Sequence, residues 1–522
     1  MLLQGTNRLQ TEIRSLEDEI ASDNPVRLID ALVERLDLSL LKISIPKADE
    51  GRPAFHPKVF LKLYYYGYMN GIRSSRKLEK ECVRNVEVRW LLESLQPNYH
   101  TIADFRKDNA AALKAVFRML TTFLKEQDLI DGVTVAIDGS KFRAVNSRKN
   151  NYNAEKLERH QTYIDNKTEE YLRQLEAGDK EEGGDELKLK HKAIEEKLKS
   201  LKERKIKYAA LQQQLAESNE PQISTTDPDS RSILINHNTI EVSYNVQTVS
   251  DEKHSLVTHF EVTSENDKRA LHKTALEAKE QLQSENFTAI ADKGYHTGEQ
   301  LSKCESDDII TIVSPKESSS QSPDEKYAVE NFVYNENNDT YTCPEGHTLS
   351  TNGNWYDKSH DYKKLKNGTK YKIKRYHTKA CLTCPVLQLC TKKKQGRQID
   401  RSEHQEAVNR NNARFKAQFD LYRRRQELIE HIFGTVKRAW GYTYTLLKGK
   451  PKVEGEFSII YTVYNLTRAK NILGFEKLLE AIKNWTPKYP EGFGFLLFRL
   501  HYIKNEPLKI FNRINVFQKM AA

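Results

Sequence analysis

Apolar positions recur at helical spacing through residues 1–125. One apolar face follows the pair Asn24-Pro25, which has the character of a helix start: Val26, Leu28, Ile29, Leu32 and Val33. Further helices are expected to open near Val59, near Ser74 and within 97–106. Because basic residues stand at several of these starts, the segment can form a helix-turn-helix-like DNA-binding domain, with a plain helical bundle as the alternative.

A different pattern, alternation with a period of two, marks a region of strands. It predicts an antiparallel meander of three strands, followed by one helix and two buried strands: 232–236, 241–249, 256–262, 270–279, 287–291 and 309–313. Another apolar run, Val133–Ile137, has the same buried-strand character. Helical spacing returns over 401–475, where Gly474 is placed to end a helix. Together these elements predict an α/β fold with a mixed sheet flanked by helices.

Two segments interrupt this region. In residues 151–221, apolar residues recur every seven positions on both sides of a glycine-rich, charged break: Leu157, Ile164 and Tyr171, then Leu187, Ile194, Leu201, Tyr208 and Leu215. This spacing predicts a helical hairpin that packs as a short coiled coil. The other core position is mostly polar, with His191, Leu198, Lys205 and Gln212, so a weak seam is expected. A solvated structural insertion is the alternative to a specific function.

The second interruption, residues 317–400, contains four cysteines: Cys343, Cys381, Cys384 and Cys390. Cys-x-x-Cys with two further cysteines supplies the four soft ligands of a tetrahedral Zn²⁺ site. The spacing departs from a paired knuckle, so His347 or His377 can replace one cysteine, and reduced thiols without metal are the alternative. Between the cysteines, Lys370, Lys372 and Lys374 fall on one face of a predicted strand, suited to DNA phosphates or to solvent alone.

Charge and length add less. The 522 residues predict two to four domains. Lys and Arg number 83 against 73 Asp and Glu, a net charge of +10 that suits a polyanionic partner without requiring one. No signal peptide or run of membrane-spanning length is apparent, so a cytoplasmic protein without a membrane partner is expected.

Candidate chemistry comes from three acidic residues in separate segments. Asp138 and Asp292 each follow an apolar strand, and Glu430 lies on a predicted helix. Carboxylates gathered in this way can hold Mg²⁺ or Mn²⁺, and two such ions can cut and rejoin phosphodiesters. Lys141 and Arg143 follow Asp138 and are candidate DNA contacts. The alternative is that both aspartates are ordinary turn residues at strand ends.

The helical segment with Glu430 offers further candidate DNA contacts. Lys437 follows Glu430 by seven residues, a spacing that places both on one helix face. With Tyr422 and Arg425, the segment resembles the Tyr-x-x-Arg-x-x-x-Glu-x-x-x-x-x-x-Lys pattern of bacterial insertion-sequence transposases, although four residues rather than three separate Arg425 from Glu430. The three acids together resemble the DDE signature of the same family.

One branch of that family, the insertion sequence eleven-eighty-two group, gives a closer resemblance. Ile429-Glu-His-Ile-Phe-Gly-Thr-Val-Lys437 is similar to its Val-Glu-His-Pro-Phe-Gly-Thr-Ile-Lys form. Gly51-Arg-Pro-Ala-Phe-His-Pro57 and Thr101-Ile-Ala-Asp-Phe-Arg106 also look like that branch. The likeness extends to about residue 475.

The resemblance implies an RNase H-like catalytic core over 126–150, 222–316 and 401–475, interrupted by the two insertions and followed by a basic C-terminal segment, 476–522. It implies a Mg²⁺-dependent transposase, near the bacterial nucleoid, that acts on double-stranded DNA at terminal inverted repeats and joins it to target DNA as a synaptic homodimer. Two alternatives remain: an inactive element-derived DNA-binding protein, and a metal-dependent nuclease without strand transfer.

Overall fold

The structure is a computed structural model that describes residues 11, 13–45, 53–178, 185–218, 220–236, 239–316, 322–359 and 370–489. Its contacts divide the chain into two compact units. The first unit comprises Met1–Gln127 together with Tyr461–Ala522, and the second comprises Asp128–Ile460.

The first unit is helical. Its helices before the sheet are α1 (Val26–Glu34), α2 (Pro57–Met69), α3 (Ser75–Arg84), α4 (Val86–Leu91), α5 (Tyr99–Asp108) and α6 (Ala110–Glu126). The predicted starts are confirmed: the Asn24 side chain accepts a hydrogen bond from the Val26 amide at 3.0 Å, and Ser74 precedes α3. The Asn98 side chain caps α5 through the Thr101 amide at 3.0 Å.

The second unit is built on a sheet in which, within the described residues, six strands take part: β1 (Thr134–Arg143), β4 (Arg231–Asn236), β5 (Thr239–Asp251), β6 (Val257–Thr263), β7 (Phe287–Ala291) and β8 (Ile309–Val313). The strand order is β4-β5-β1-β7-β8, with β6 also paired to β5. Strands β1, β7 and β8 run parallel, and β4, β5 and β6 form the predicted antiparallel meander. The predicted mixed sheet is confirmed.

Helices cover this sheet. They are α9 (Leu271–Leu282), α10 (Gly298–Ser306), α12 (Gln405–Ala417) and α13 (Phe419–Phe433). Leu428 and Ile429 of α13 pack against Ala136 of β1, so this helix lies directly on the strand that carries Asp138. Burial of such apolar groups is the main force that fixes a helix on a sheet.

The predicted helical hairpin is present as α7 (Ala154–Gly178) and α8 (Asp185–Ser218), which follow the short strand β2 (Asn151–Tyr152) and precede its partner β3 (Ile223–Ser224). The two helices share a core of Tyr152, Leu157, Ile164, Leu201, Tyr208 and Leu211. Polar residues pair across the seam as well, since the Lys205 ammonium lies 2.6 Å from the Asp165 carboxylate. The glycine-rich break, 179–184, lies outside the described residues.

The cysteine-rich segment forms a small antiparallel sheet of β9 (Val333–Asn335), β10 (Thr340–Thr342), β11 (Thr348–Ser350), β12 (Tyr356–Ser359), β13 (Lys370–His377) and β14 (Gln398–Ser402), with the single-turn helix α11 (Leu387–Cys390). Aromatic rings dominate its core, among them Tyr341 and Tyr376, whose centroids lie 5.0 Å apart.

The chain after the second unit's sheet continues through α14 (Lys450–Leu473) and α15 (Phe475–Asn484). Gly474 ends α14 with a φ of +84°, as the sequence predicts. Most of the predicted C-terminal segment, residues 490–522, lies outside the described residues. Among the helices that the structure describes, none is long and apolar enough to cross a membrane.

Candidate active site

Asp138 lies where β1 loses one of its two neighbours. The strand pairs with β7 only from Thr134 to Ile137, but it pairs with β5 as far as Arg143. The prediction that the strand ends at the carboxylate was therefore wrong, because β5 continues to hold the backbone extended. The Asp138 side chain stays 28% exposed at the point where β7 stops.

Asp292 lies beside it. It follows β7 directly, and its Oδ1 accepts a hydrogen bond of 2.8 Å from the Gly294 amide at the start of a 3₁₀ turn, Lys293–Tyr295. Ile137 and Ala291 are the last pair of the parallel ladder. Asp138 and Asp292 therefore hold the next positions on two adjacent parallel strands, at one edge of the sheet.

The charges around Asp138 interact strongly. Burial raises the pKa of Asp138 to about 6, and the carboxylates of Asp292 and Asp267 add to the increase, while the Arg425 guanidinium and a hydrogen bond from the Gly139 amide oppose it. Arg425 Nη1 lies 3.4 Å from Asp138 Oδ2. The Arg425 guanidinium therefore does not fully offset the effect of burial and of the neighbouring carboxylates on the pKa of Asp138.

Glu430 is on α13, on the same sheet but with its side chain exposed. Gln426 Nε2 donates a hydrogen bond of 2.8 Å to Glu430 Oε1. The adjacent residue Ile429 is buried against β1, so Glu430 stands at the border between the helix face that packs and the face that meets solvent.

Lys437 is half-buried, whereas Glu430 is exposed, and their shared helix face stays a prediction. A π-helical segment, Gly434–Ala439, follows α13 directly, and its wider turn breaks the spacing of 3.6 residues on which the prediction rested. Lys437 Nζ donates to the Lys141 carbonyl at 2.8 Å and lies 4.4 Å from the centroid of the Phe142 ring. Burial, with the nearby Lys141 ammonium, lowers the pKa of Lys437 to about 8.

Tyr422 and Arg425 lie earlier on α13 than Glu430, and Arg425 reaches Asp138. The Arg425 guanidinium lies 5.9 Å from the centroid of the Tyr422 ring and connects it to Asp138. Tyr422 also packs edge to face on Phe415, with centroids 4.8 Å apart. The extra residue between Arg425 and Glu430 therefore does not take Arg425 away from the acidic residues.

The two basic residues after Asp138 have partners within the chain. Lys141 Nζ lies 2.9 Å from Asp267 Oδ2. Arg143 is exposed, its guanidinium lies 5.9 Å from the centroid of the Tyr444 ring, and its backbone bridges to the same residue. Contact of either residue with DNA stays a prediction.

Sequence reasoning missed Asp267, a fourth acidic residue at this edge. Besides Lys141, its carboxylate accepts hydrogen bonds of 2.8 Å each from Asn245 Nδ2 and Gln247 Nε2 on β5. The signal that could have identified Asp267 was the pair of amide side chains, Asn245 and Gln247. Two amide side chains on one face of a buried strand need a buried polar partner, and that partner is Asp267.

The four clustered cysteines lie in one part of the small sheet. Cys343 and Cys390 contribute to its core, and the Gly396 α-carbon sits so close to Cys381 that a β-carbon there would lie 2.4 Å from the cysteine Cβ. Burial raises the pKa of Cys390, and the thiols of Cys343, Cys381 and Cys384 are near enough to raise it further. The His347 amide donates to Cys343 Sγ at 3.3 Å, and all four thiols are free of disulfides.

Two of the three predicted phosphate contacts on β13 can be located. Lys374 is half-buried, with its ammonium 2.7 Å from Asp339 and over the Trp355 ring, whereas Lys372 is exposed. The side chain of Lys370 lies outside the described residues. Lys372 is therefore the better placed of the two to meet a phosphate.

Neither candidate metal centre brings three ligands together among the described residues. Among the described residues, no group of three or more His, Cys, Asp and Glu side chains is arranged so that it can hold a metal ion. The carboxylate set and the thiol set both consist of ligand types that fit their predicted ions, Mg²⁺ or Mn²⁺ and Zn²⁺ respectively. Metal binding at each set stays a prediction.

Comparisons with known proteins bear on the family. Residues 14–108 match a transposase domain (DUF772), and residues 342–469 match a transposase DDE domain. The second match includes Glu430, while Asp138 and Asp292 lie outside both. No curated protein and no solved structure matches the chain. The DDE domain implies an RNase H-like core. The two matches indicate that the chain is a DDE transposase of the insertion-sequence type.

Proposed function

We propose that this transposase binds the terminal inverted repeats of an insertion sequence, cleaves the DNA at their ends and joins the resulting 3′ hydroxyl to target DNA. The observation that supports this most is the placement of Asp138 and Asp292 at corresponding positions on two adjacent parallel strands, each directly after the last paired residue, with the helix of Glu430 packed on the same sheet. Three carboxylates around one sheet edge are a suitable set of ligands for hard divalent cations.

Asp138, Asp292 and Glu430 would hold Mg²⁺ or Mn²⁺ in this proposal. When bound, the ions supply an activated nucleophile and stabilise the leaving oxygen of the phosphodiester. Glu430 is exposed, so its side chain has room to turn toward the aspartates when a cation and DNA are present. Arg425 partly neutralises the negative charge of Asp138. When a cation binds and neutralises that charge instead, the guanidinium can bind a DNA phosphate.

We place part of the DNA contact of the first unit on one face of α3. Its exposed residues fall at positions i, i+1, i+4, i+7 and i+8 of the helix: Arg76, Lys77, Lys80, Val83 and Arg84. Residues at this spacing form one stripe. The opposite side is buried through Leu78, Glu81 and Cys82.

The α3 stripe has the chemistry of a DNA-reading surface. Val83 is 59% exposed among four basic side chains, and an apolar group in such a place can contact a thymine methyl while the basic residues contact phosphates and guanines. The neighbouring helix α5 carries Asp104 and Asp108 on its exposed side, which suits a phosphate surface less well.

A structural zinc ion completes the proposal for the small sheet. Cys343, Cys381, Cys384 and Cys390 are its ligands, and the His347 amide donates to Cys343 Sγ as a second partner of that sulfur. A homodimer that brings two element ends together is also part of the proposal, because joining requires both ends in one complex.

The test of the catalytic proposal is cleavage of a labelled duplex that carries the inverted repeats flanking the gene, in the presence of Mg²⁺. Wild type is compared with Asp138→Asn, Asp292→Asn and Glu430→Gln. Glu427→Gln is the matched control, because Glu427 is an exposed glutamate on the same helix. We expect end-specific cutting by wild type and the control, and its loss in the other three variants.

Two further readouts separate the alternatives. End binding without cutting by the wild type would favour a DNA-binding protein derived from an element. Cutting without joining of a pre-cut 3′ end would favour a nuclease. Equal loss in Glu427→Gln and Glu430→Gln would contradict the specific role given to Glu430.

A further inference from the structure

Asp267 connects the two segments that carry the paired aspartates. It opens a 3₁₀ turn, Asp267–Arg269, between β6 and α9. Lys141, three residues after Asp138, places its ammonium 2.9 Å from Asp267 Oδ2. Tyr295, three residues after Asp292, places its hydroxyl 3.5 Å from Asp267 Oδ1 and donates its proton to Gln247 Oε1, and Gln247 Nε2 in turn donates to Asp267 Oδ1 at 2.8 Å. The Asp267 carboxylate is thus linked to the residue three positions after each aspartate, directly to Lys141 and through Gln247 to Tyr295.

The surroundings of Asp267 are built for a carboxylate. The Asn245 and Gln247 side-chain amides donate to it from β5, and the Tyr295 hydroxyl donates to the side-chain oxygen of Gln247, Oε1. Asn245, Gln247 and Tyr295 are completely buried. A buried hydrogen-bond network of this kind holds its members in one arrangement, because any displacement leaves polar atoms without partners.

Gly139 makes room for this network. An ideal β-carbon at that position would lie 2.2 Å from Asp267 Oδ1 and 2.6 Å from Gln247 Nε2. The residue directly after Asp138 is therefore in close backbone contact with Asp267. Gly139 thus serves the packing of the Asp267 carboxylate.

The charge of Asp267 is maintained although the group is largely enclosed. Burial alone would raise its pKa, but the Lys141 ammonium and the hydrogen bonds from Asn245 and Gln247 lower it overall. A carboxylate kept ionised in such a place needs its cation and its donors, and the loss of any one is costly. This dependence makes the geometry of the network stiff.

We propose that Asp267 is a positioning residue that ties the turn after Asp138 to the turn after Asp292, and so holds the two carboxylates at the separation at which they bind a divalent cation. The inference rests on the proposed catalytic function. The Asp267 carboxylate stays paired with Lys141 and takes no part in the chemical step.

The test measures Mn²⁺ binding to the full-length protein without DNA, by isothermal titration calorimetry. Asp267→Asn keeps the size of the side chain and removes the charge that orders Lys141. We expect its Mn²⁺ Kd to rise by roughly tenfold or more, the scale on which outer partners of metal ligands act. Circular dichroism and the unfolding temperature monitor the fold.

The matched control is Asp227→Asn. Asp227 is a completely buried carboxylate of the same unit, which accepts hydrogen bonds from the Tyr244 hydroxyl at 2.7 Å and the Gly449 amide at 3.0 Å. Neither donor belongs to the turns after Asp138 and Asp292. We expect this variant to lose stability while its Mn²⁺ Kd stays at the wild-type value.

The outcomes are distinct. Wild-type affinity in folded Asp267→Asn, or an equal loss in both variants, overturns the inference. If wild type binds Mn²⁺ and Asp138→Asn does not, that result leaves the proposed catalytic function standing. If wild type does not bind Mn²⁺, both fail. Should Asp267→Asn not fold, Lys141→Gln removes the same ion pair from its other side and is expected to weaken Mn²⁺ binding in the same way.

Discussion

Replacing Gly139 by alanine tests whether the acidic edge is packed as tightly as the structure indicates. The new β-carbon would lie 2.2 Å from Asp267 Oδ1, 2.6 Å from Gln247 Nε2 and 2.7 Å from Asn245 Oδ1. Gln247 Nε2 donates to Asp267 Oδ1, and Asn245 donates to the same oxygen through its Nδ2, so all three side chains belong to one hydrogen-bond network in the second unit. No flexible side-chain end is available to move aside without breaking a bond to a charged group.

The expected cost follows from these contacts. An extra methyl group in a packed interior costs about 1–3 kcal/mol, and weakening a hydrogen bond to a buried charge adds about 1.5–3 kcal/mol. Because part of the strain can be relieved by a shift of the turn that carries Asp267, we expect a loss of roughly 2–4 kcal/mol in local stability.

Hydrogen exchange is the suitable assay, since a chain with two units need not unfold in one step. A loss of about 2 kcal/mol corresponds to roughly thirtyfold faster exchange in the strand Thr134–Arg143. Gly434→Ala is the matched control, because a β-carbon there meets nothing within 4 Å and the backbone is already helical. Exchange of Gly139→Ala within about threefold of wild type would refute the packing argument.

Four further predictions concern other parts of the chain. Lys80→Ala should weaken binding to all DNA sequences and reduce the slope of log K against log salt by about 1. An unchanged slope would show that α3 does not contact DNA phosphates through Lys80. Cys384→Ser should lower the zinc content measured by atomic emission below about one ion per chain, whereas equal zinc in wild type and variant would contradict the site. Leu157→Ala should cost the helical pair about 2–5 kcal/mol, visible as faster exchange in α7 and α8, because the side chain is completely buried; unchanged exchange would argue against that core. Burial raises the pKa of Asp339, but Lys374 and neighbouring tyrosine hydroxyls lower it overall to about 2, so the stabilisation by the ionised carboxylate is present above about pH 4 and is lost as the pH falls through about 2. Because Lys374 pairs with Asp339 and lies over the Trp355 ring, we expect tryptophan fluorescence to change over this pH range in wild type and to change less in Asp339→Asn.

The sheet could be predicted from the sequence because its strands either alternate apolar and polar residues or begin as apolar runs, and turn residues separate them. The meander that became β4, β5 and β6 and the parallel strands β7 and β8 lie where alternation and apolar runs placed them. Patterns with a period of two report which face of a strand is buried, and that information is local. The order in which the strands pair depends on contacts distant in sequence, and only the structure shows it.

The candidate site shows which features cannot be predicted from local sequence patterns. The carboxylates of Asp138 and Asp292 were found because each follows an apolar strand, but Asp267 follows no such strand and is revealed only by the side chains that reach it from β5. The spacing between Glu430 and Lys437 was counted as regular α-helix, and the π-helical turn between them could not be predicted from periodicity. Glu430 was recognised from its motif, and its exposed position could not be deduced from periodicity.

The central claim is that Asp138 binds a divalent cation that takes part in DNA cleavage. Replacing it by cysteine substitutes a soft ligand for a hard one, which disfavours Mg²⁺ and is better tolerated by Mn²⁺. We predict that Asp138→Cys fails to cut an inverted-repeat end with Mg²⁺ and regains cutting with Mn²⁺, while Asp138→Ala stays inactive with both. Full Mg²⁺ activity in Asp138→Cys, or Mn²⁺ rescue of Asp138→Ala, would contradict the assignment of Asp138 as a metal ligand.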